Sequence, residues 1–122
     1  MAEDQISPQL RDQINRLQQM RMQLQMLTQQ KQQIELRLKE IDESLEELNK
    51  TDSKTPIYKS VGSILIKAKS KQDLVNELKE NKESMEVRKN TLDKQEGRAK
   101  ENLNELQSKV QNALNIKGET QT

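Results

Sequence analysis

The stretch Thr55–Lys69, TPIYKSVGSILIKAK, decides how the rest of the chain is read. Ile57, Tyr58 and Val61 precede a Gly62-Ser63 dipeptide, and Ile64, Leu65 and Ile66 follow it. β-Branched and aromatic runs on either side of such a dipeptide predict a β-hairpin. Strand side chains alternate, so in the second run Ile64, Ile66 and Ala68 face one way and Leu65, Lys67 and Lys69 the other. Lys54, Lys59, Lys67, Lys69 and Lys71 lie within residues 54–72, a segment without a single acid.

Upstream of the hairpin the pattern is helical. Ser7 followed by Pro8 is a helix start: a hydroxyl cap, then a proline in the first turn, where its missing N–H does no harm. Alternating steps of four and three lead through Ile6, Leu10, Gln13, Leu17, Met20, Leu24, Leu27, Lys31, Ile34, Leu38, Ile41, Leu45 and Leu48. Only Gln13 and Lys31 in that series are polar, and no Gly or Pro interrupts residues 9–55. A 3.5-residue repeat held this long predicts a coiled-coil helix over residues 7–50.

Downstream, Ser70 and Asp73 have capping-box spacing, and a second helix is expected over residues 71–114. Leu78, Met85, Leu92, Ala99, Leu106 and Ala113 recur every seven residues. The interleaved positions are read as Leu74, Asn81, Arg88, Gln95 and Asn102, a mostly polar half-seam that Leu103 and Val110 take up again. Each helix would be roughly 65 Å long at 1.5 Å per residue. Matched lengths around a short connector predict an antiparallel pair in which facing residue numbers sum to about 120: Leu48 near Gln72, Leu24 near Ala99, Leu10 near Val110. Residues 115–122 read as a flexible tail.

The composition supports an all-surface, coil-like molecule. Of the 122 residues, 30% are apolar and 34% charged, with no Phe, no Trp and one Tyr. The 21 Lys+Arg and 20 Asp+Glu nearly cancel, so no long-range field draws the chain to nucleic acid or membrane. Without Cys or His there is no disulfide, thiol nucleophile, imidazole base or imidazole metal ligand, and carboxylate pairs such as Glu46/Glu47 fall on a solvated helix face. SVGS (residues 60–63) lacks the phosphate-loop pattern. No catalytic site, cofactor site or metal site is expected. The opening MAEDQISPQL (residues 1–10) is acidic and has no apolar run, so a signal peptide is not expected, and a cytoplasmic protein is.

The hairpin then has a physical problem. Two strands alone are marginal in water, and this pair exposes both edges and an apolar row. Completion by hairpins of other chains, closing a β-barrel between subunits, resolves it. A hairpin folded back on its own helices is the alternative. The expected fold is mainly α: a single domain over residues 1–122, a long antiparallel coiled-coil hairpin with one β-hairpin at residues 55–69, the hairpins assembling into an intersubunit β-barrel.

These residues carry a resemblance. PIYKSVGSILIKA (residues 56–68), the following LVNELKENKESMEVRKNTLDKQEGRAKENLNELQ (residues 74–107) and the Gln-rich QLRDQINRLQQMRMQLQMLTQQKQQIE (residues 9–35) resemble the β-type subunit of prefoldin. The likeness covers residues 8–114, and the Tyr-Lys hairpin with its Ile-Leu-Ile is its most specific part. One hairpin between the helices is the β-type pattern, and the short chain resembles the archaeal form. The resemblance implies a hexamer of two α-type and four β-type subunits whose hairpins form a double-barrel body bearing six coiled coils. It implies an ATP-independent holdase that captures unfolded polypeptide at the coil tips and passes it to a group II chaperonin. The body residues would be Ile57, Tyr58, Val61, Gly62, Ile64, Leu65 and Ile66.

For the tips, the expectation is that helices fray and leave seam residues partly covered. The candidates are Ile6, Leu10, Ile14, Leu17, Leu106, Val110, Leu114 and Ile116. Met20, Met22 and Met26 are read first as seam or solvated residues, although methionine also suits adaptable binding surfaces. The Gln-rich run Gln18–Gln33 reads as a solvated helix face, and the hairpin lysines as edge protection rather than a nucleic-acid patch. Two other functions compete: a tether whose tips bind one dedicated partner, and a transcription-associated coiled coil. The latter needs an acidic turn where this chain has a lysine-rich hairpin.

Overall fold

The computed structural model describes the backbone of residues 7–120 and the side chains of residues 7–115. The element order is α1 (Pro8–Asn49), β1 (Tyr58–Val61), β2 (Ile64–Lys67) and α2 (Lys71–Thr120). Two compact units divide the chain: Met1–Lys31 with Leu92–Thr122, and Gln32–Thr91.

Both helices start on hydroxyl caps. Ser7 Oγ accepts the Leu10 N–H at 3.0 Å, and Ser70 Oγ accepts the Asp73 N–H at 3.0 Å. Each satisfies a donor that the first turn leaves without a helical partner. After α1, Asp52 closes the connector: its Oδ1 accepts the N–H groups of Lys54 and Thr55, both at 2.9 Å. Lys71 Nζ reaches back to the Thr51 carbonyl at 2.8 Å, tying the start of α2 to the end of α1. α2 continues past Leu114, where the sequence reading ended it, to Thr120. No proline follows to stop it, and a single glycine at residue 118 costs only about 1 kcal/mol in a helix.

The strands pair antiparallel as Tyr58↔Lys67, Lys59↔Ile66, Ser60↔Leu65 and Val61↔Ile64. The two-residue turn is Gly62-Ser63, with Gly62 at φ 60°. Positive φ at the first central position is what a type II′ turn asks of its glycine.

In the first unit, Leu10 and Leu17 of α1 and Leu92, Glu96 and Val110 of α2 are buried. In the second, Ile41 and Leu48 of α1 and Val75 of α2 are buried. The α1 seam follows the four-three steps of the sequence: every described position, Gln13 and Lys31 included, is buried or half-buried. The α2 seam departs from its reading by one residue. Asn81, Arg88, Gln95 and Asn102 are exposed, and the interleaved seam positions are Val75, Lys82, Lys89, Glu96, Leu103 and Val110. Lys82, Lys89 and Glu96 occupy the seam because each finds a polar partner on α1, which lets a charge replace a leucine there.

Those partners also correct the register. Thr28 with Glu96 and Lys31 with Asp93 in the first unit, and Glu35 with Lys89 and Asp42 with Lys82 in the second, each sum to 124 rather than 120. The helices pair about one turn further along than apolar spacing suggested.

The two helix-pair and turn glycines should respond oppositely to a methyl group. A Cβ built on either Gly62 or Gly97 meets nothing within 4 Å, so backbone preference alone decides. Gly62→Ala should cost about 1–2 kcal/mol, because it forces a Cβ into positive φ. Gly97→Ala, in the exposed interior of α2, should stabilise by about 0.5–1 kcal/mol. Urea titration followed by circular dichroism checks both signs.

Candidate functional site

The residues with functional expectations fall into two regions, one in each unit. The first is the part of the helix pair that carries the chain termini. Leu10, Leu17 and Val110 are 4%, 6% and 6% exposed, so the expected partial cover does not hold for them. The seam stays closed because it keeps its heptad alternation of buried and half-buried positions to Ala113. Ile14 and Leu106 are half-buried, and Leu114 is 40% exposed. Ile6 and Ile116 lie outside the residues whose side chains are described. Met20 sits half-buried on the seam, whereas Met22 and Met26 are 66% and 59% exposed on its outer side.

This region ends in a charged layer that apolar periodicity could not reveal. Lys31 Nζ lies 2.8 Å from Asp93 Oδ1 and 3.5 Å from Glu96 Oε1. Thr28 Oγ1 donates to Glu96 Oε2 at 3.0 Å, and Lys100 Nζ donates to Glu96 Oε1 at 3.2 Å. Glu96 is thereby the buried polar residue of the described chain, with both carboxylate oxygens engaged. Hydrogen bonds from Lys100 and Thr28 hold its carboxyl below the usual range, and the hydrogen bond to Asp93 raises Lys31 above the ordinary lysine value. The hydrogen bond to Asp42 raises Lys82 in the other unit. Lys31 was visible in the sequence as a break in the first seam. Glu96 was not, because its partner was needed to see it.

The second region is the hairpin. All eight strand residues are exposed, although five of them are large and apolar: Tyr58, Val61, Ile64, Leu65 and Ile66, from 45% exposed at Val61 to 72% at Leu65. The hairpin touches α2 through the Lys59–Glu77 ion pair, and Ile57 at its root is half-buried. The row of apolar side chains is thus left uncovered by the chain's own helices. Beside it, a groove of about 540 Å³ runs between Tyr58 and Ser60 on β1 and Glu40, Glu43 and Glu47 on α1, with Leu48, Leu74 and Leu78 at its floor.

Among the described residues, no group of three or more acidic residues could hold a metal ion, and no helix is long and apolar enough to cross a membrane.

Comparison with known proteins matches residues 11–116 to the prefoldin subunit family model. The chain is 42% identical over 115 residues to prefoldin subunit beta of Thermoplasma volcanium, covering 94% of this chain and 93% of that protein. It is 43% identical over 110 residues to prefoldin subunit beta of Archaeoglobus fulgidus, covering 90% and 94%. The crystal structure of the prefoldin beta subunit from Thermococcus strain KS-1 superposes with a TM-score of 0.78 at 38% identity, over 89% of this chain and 95% of that one.

The charged layers give the fold a pH window. Glu96 has a depressed value, so its contribution is present above the ordinary glutamate pKa and is lost as pH falls through the lower folded value. Lys31 and Lys82 have raised values, so theirs is present below the ordinary lysine pKa and is lost as pH rises through the higher folded value. The thermal midpoint should therefore fall below about pH 4 and above about pH 10.5. Glu96→Gln should make the acid limb shallower and leave the alkaline limb in place, as followed by helical circular dichroism at stepped pH. Asp52, whose carboxyl the Lys54 N–H holds low, supplies part of the remaining acid limb.

Proposed function

This chain belongs to the prefoldin subunit family and is a prefoldin chaperone subunit of the β type, and from that premise we propose that it works as an ATP-independent holdase in the cytoplasm. It assembles with an α-type subunit and further copies of itself, two α-type to four β-type. It captures unfolded polypeptide at the ends of its coiled coils and passes it to a group II chaperonin.

The observation that carries the reading is the uncovered hairpin. Five large apolar side chains on two strands, exposed on both faces and both edges, cost free energy until another sheet covers them. Hairpins of neighbouring subunits supply the missing hydrogen bonds and apolar partners at once. Ile57, Tyr58, Val61, Gly62, Ile64, Leu65 and Ile66 are the residues of that body.

Client binding belongs to the terminal region. The exposed Leu114 and the half-buried Ile14 and Leu106 offer the accessible apolar surface, and Leu10, Leu17 and Val110 add to it when the pair parts. Ile6 and Ile116 complete the proposed set on sequence grounds alone. Full burial of one such side chain is worth roughly 1.5–3 kcal/mol, so a few partial contacts bind weakly. Several coils acting on one client raise the avidity by about 10²–10⁴. The closed state of Leu10, Leu17 and Val110 favours a second reading, in which the coil ends present one defined surface to a dedicated partner.

Light scattering of two chemically unrelated unfolded proteins, without ATP, separates the readings. The chain assembled with an α-type subunit should suppress aggregation of both, and an assembly lacking residues 1–16 and 105–122 should suppress neither while keeping its size. Leu114→Ser should weaken suppression severalfold without changing helicity. An intact assembly that suppresses neither client overturns the holdase and leaves the dedicated tether.

A further inference from the structure

Groove and hairpin form one continuous, self-complementary surface. Tyr58, Lys59 and Ser60 make one wall of the groove, Lys59 being paired with Glu77, and Lys67 and Leu65, the cross-strand partners of Tyr58 and Ser60, face the same way as these two without lining it. The opposite wall is α1, with Glu40 and Glu43. Neither of these carboxylates makes an ion pair among the described residues, and neither do the ammonium groups of Lys67 and Lys69. The single chain thus holds an unneutralised acidic wall and an unneutralised basic strand end side by side. Leu65, two residues before Lys67 on the same strand, is the most exposed large apolar residue among the described residues, at 72%.

We propose that this groove receives the Leu65–Lys69 segment of a second copy of this chain. Leu65 enters over Leu48, Leu74 and Leu78, and Lys67 and Lys69 meet Glu40 and Glu43. The spacings agree. Lysines two apart on extended chain stand about 6.7 Å apart, and glutamates three apart on a helix about 5–6 Å. A second copy is the occupant because both halves of the contact lie on one continuous surface. A two-fold pair then makes the contact twice, each groove taking the other copy's strand end. The inference rests on the assembly proposed above and deepens it: strand pairing accounts for the hairpin edges, whereas this contact gives α1 a part in choosing the neighbour. Unneutralised charges of opposite sign set orientation and partner choice more than raw affinity.

The test uses the full chain assembled with an α-type subunit from an equal mixture of light- and heavy-nitrogen copies. A zero-length carbodiimide joins amines to carboxylates in direct contact. Mass spectrometry should find Lys67 or Lys69 joined to Glu40 or Glu43 in light–heavy pairs. Two charge-reversed chains give an independent measurement, with folding followed by circular dichroism. Glu40→Lys with Glu43→Lys, and separately Lys67→Glu with Lys69→Glu, should each weaken association by about tenfold, and mixing the two should restore it. Links confined to one isotope, lysines joined to the α-type subunit alone, or a mixture as weak as its components would overturn the contact. Aggregation suppression is read on the same samples. An assembly that holds clients without these links sinks the docking and leaves the chaperone reading, and links without suppression do the reverse.

Discussion

The ion pair between Lys31 and Asp93, with Glu96 and Thr28 beside it, decides how the two helices lie against one another. Leucine seams are permissive: sliding one helix past the other by a heptad, or by one turn with small repacking, still puts apolar side chains opposite apolar side chains. Charges are not permissive, since a slide of one turn moves Lys31 from Asp93 and Glu96 onto Lys89 and Leu92 in one direction, or onto Gly97 and Lys100 in the other. The acid also changes helices along the pair. Lys31 of α1 meets acids of α2, whereas Glu35 and Asp42 of α1 meet Lys89 and Lys82 of α2. Slides that satisfy one layer therefore misplace the next. Replacement of a polar layer by leucine often increases stability, so the worth of these layers lies in specifying one register.

Within the second unit, the Glu35–Lys89 and Asp42–Lys82 pairs set the register next to the hairpin. With Asp42 on Lys82, the end of α1 lies beside the start of α2, close enough for Lys71 to reach the Thr51 carbonyl. The hairpin is held between Asp52, which closes the entry, and Ser70, which caps the exit. Its Lys59 is anchored on Glu77, and its apolar side chains point away into solvent. The strands are thus positioned rigidly by polar contacts at their root, and their apolar surface is left over for other chains. A hairpin buried on its own helices would have no such surplus.

Residue types and spacing made part of this legible. The α1 seam was readable because a leucine-type side chain marks nearly every seam position, and the two exceptions, Gln13 and Lys31, sat in register with the rest. The turn was readable because Gly62 is needed at positive φ, and the uncovered apolar row because no segment of the chain is large or apolar enough to cover it. The α2 seam failed at its interleaved positions. Leu74, an apolar residue one place before Val75, drew the count off by one, since it faces the hairpin groove rather than α1 alone. Lys82, Lys89 and Glu96 gave no signal of burial, because a charge enters a seam only through its partner on another helix. The same blindness produced the error of one turn in the register. The cover of three terminal seam residues differs from expectation for another reason: capping by Ser7 and continued alternation on both helices keep Leu10, Leu17 and Val110 buried.

The molecule must keep two apolar surfaces available without letting either cause aggregation, and it guards them differently. At the hairpin, protection is electrostatic. Lys59 and Lys67 lie on the strands, with Lys54, Lys69 and Lys71 beside them, and like charge on unassembled copies opposes the edge-to-edge pairing that bare strands invite. Only a neighbour bringing carboxylates with its own strand relieves that repulsion, so the guard also selects the partner. At the terminal region, protection is steric. The seam closes over Leu10 and Leu17, and Ala113, a half-buried α2 seam residue near the level of Leu10 in the observed register, makes the closure shallow there, since a methyl buries far less surface than a leucine. A shallow closure opens at low cost. On the proposed function, a long-lived contact at the hairpin and a weak, reversible one at the coil ends follow from these two kinds of cover, and a carrier that must stay assembled while releasing its load needs both.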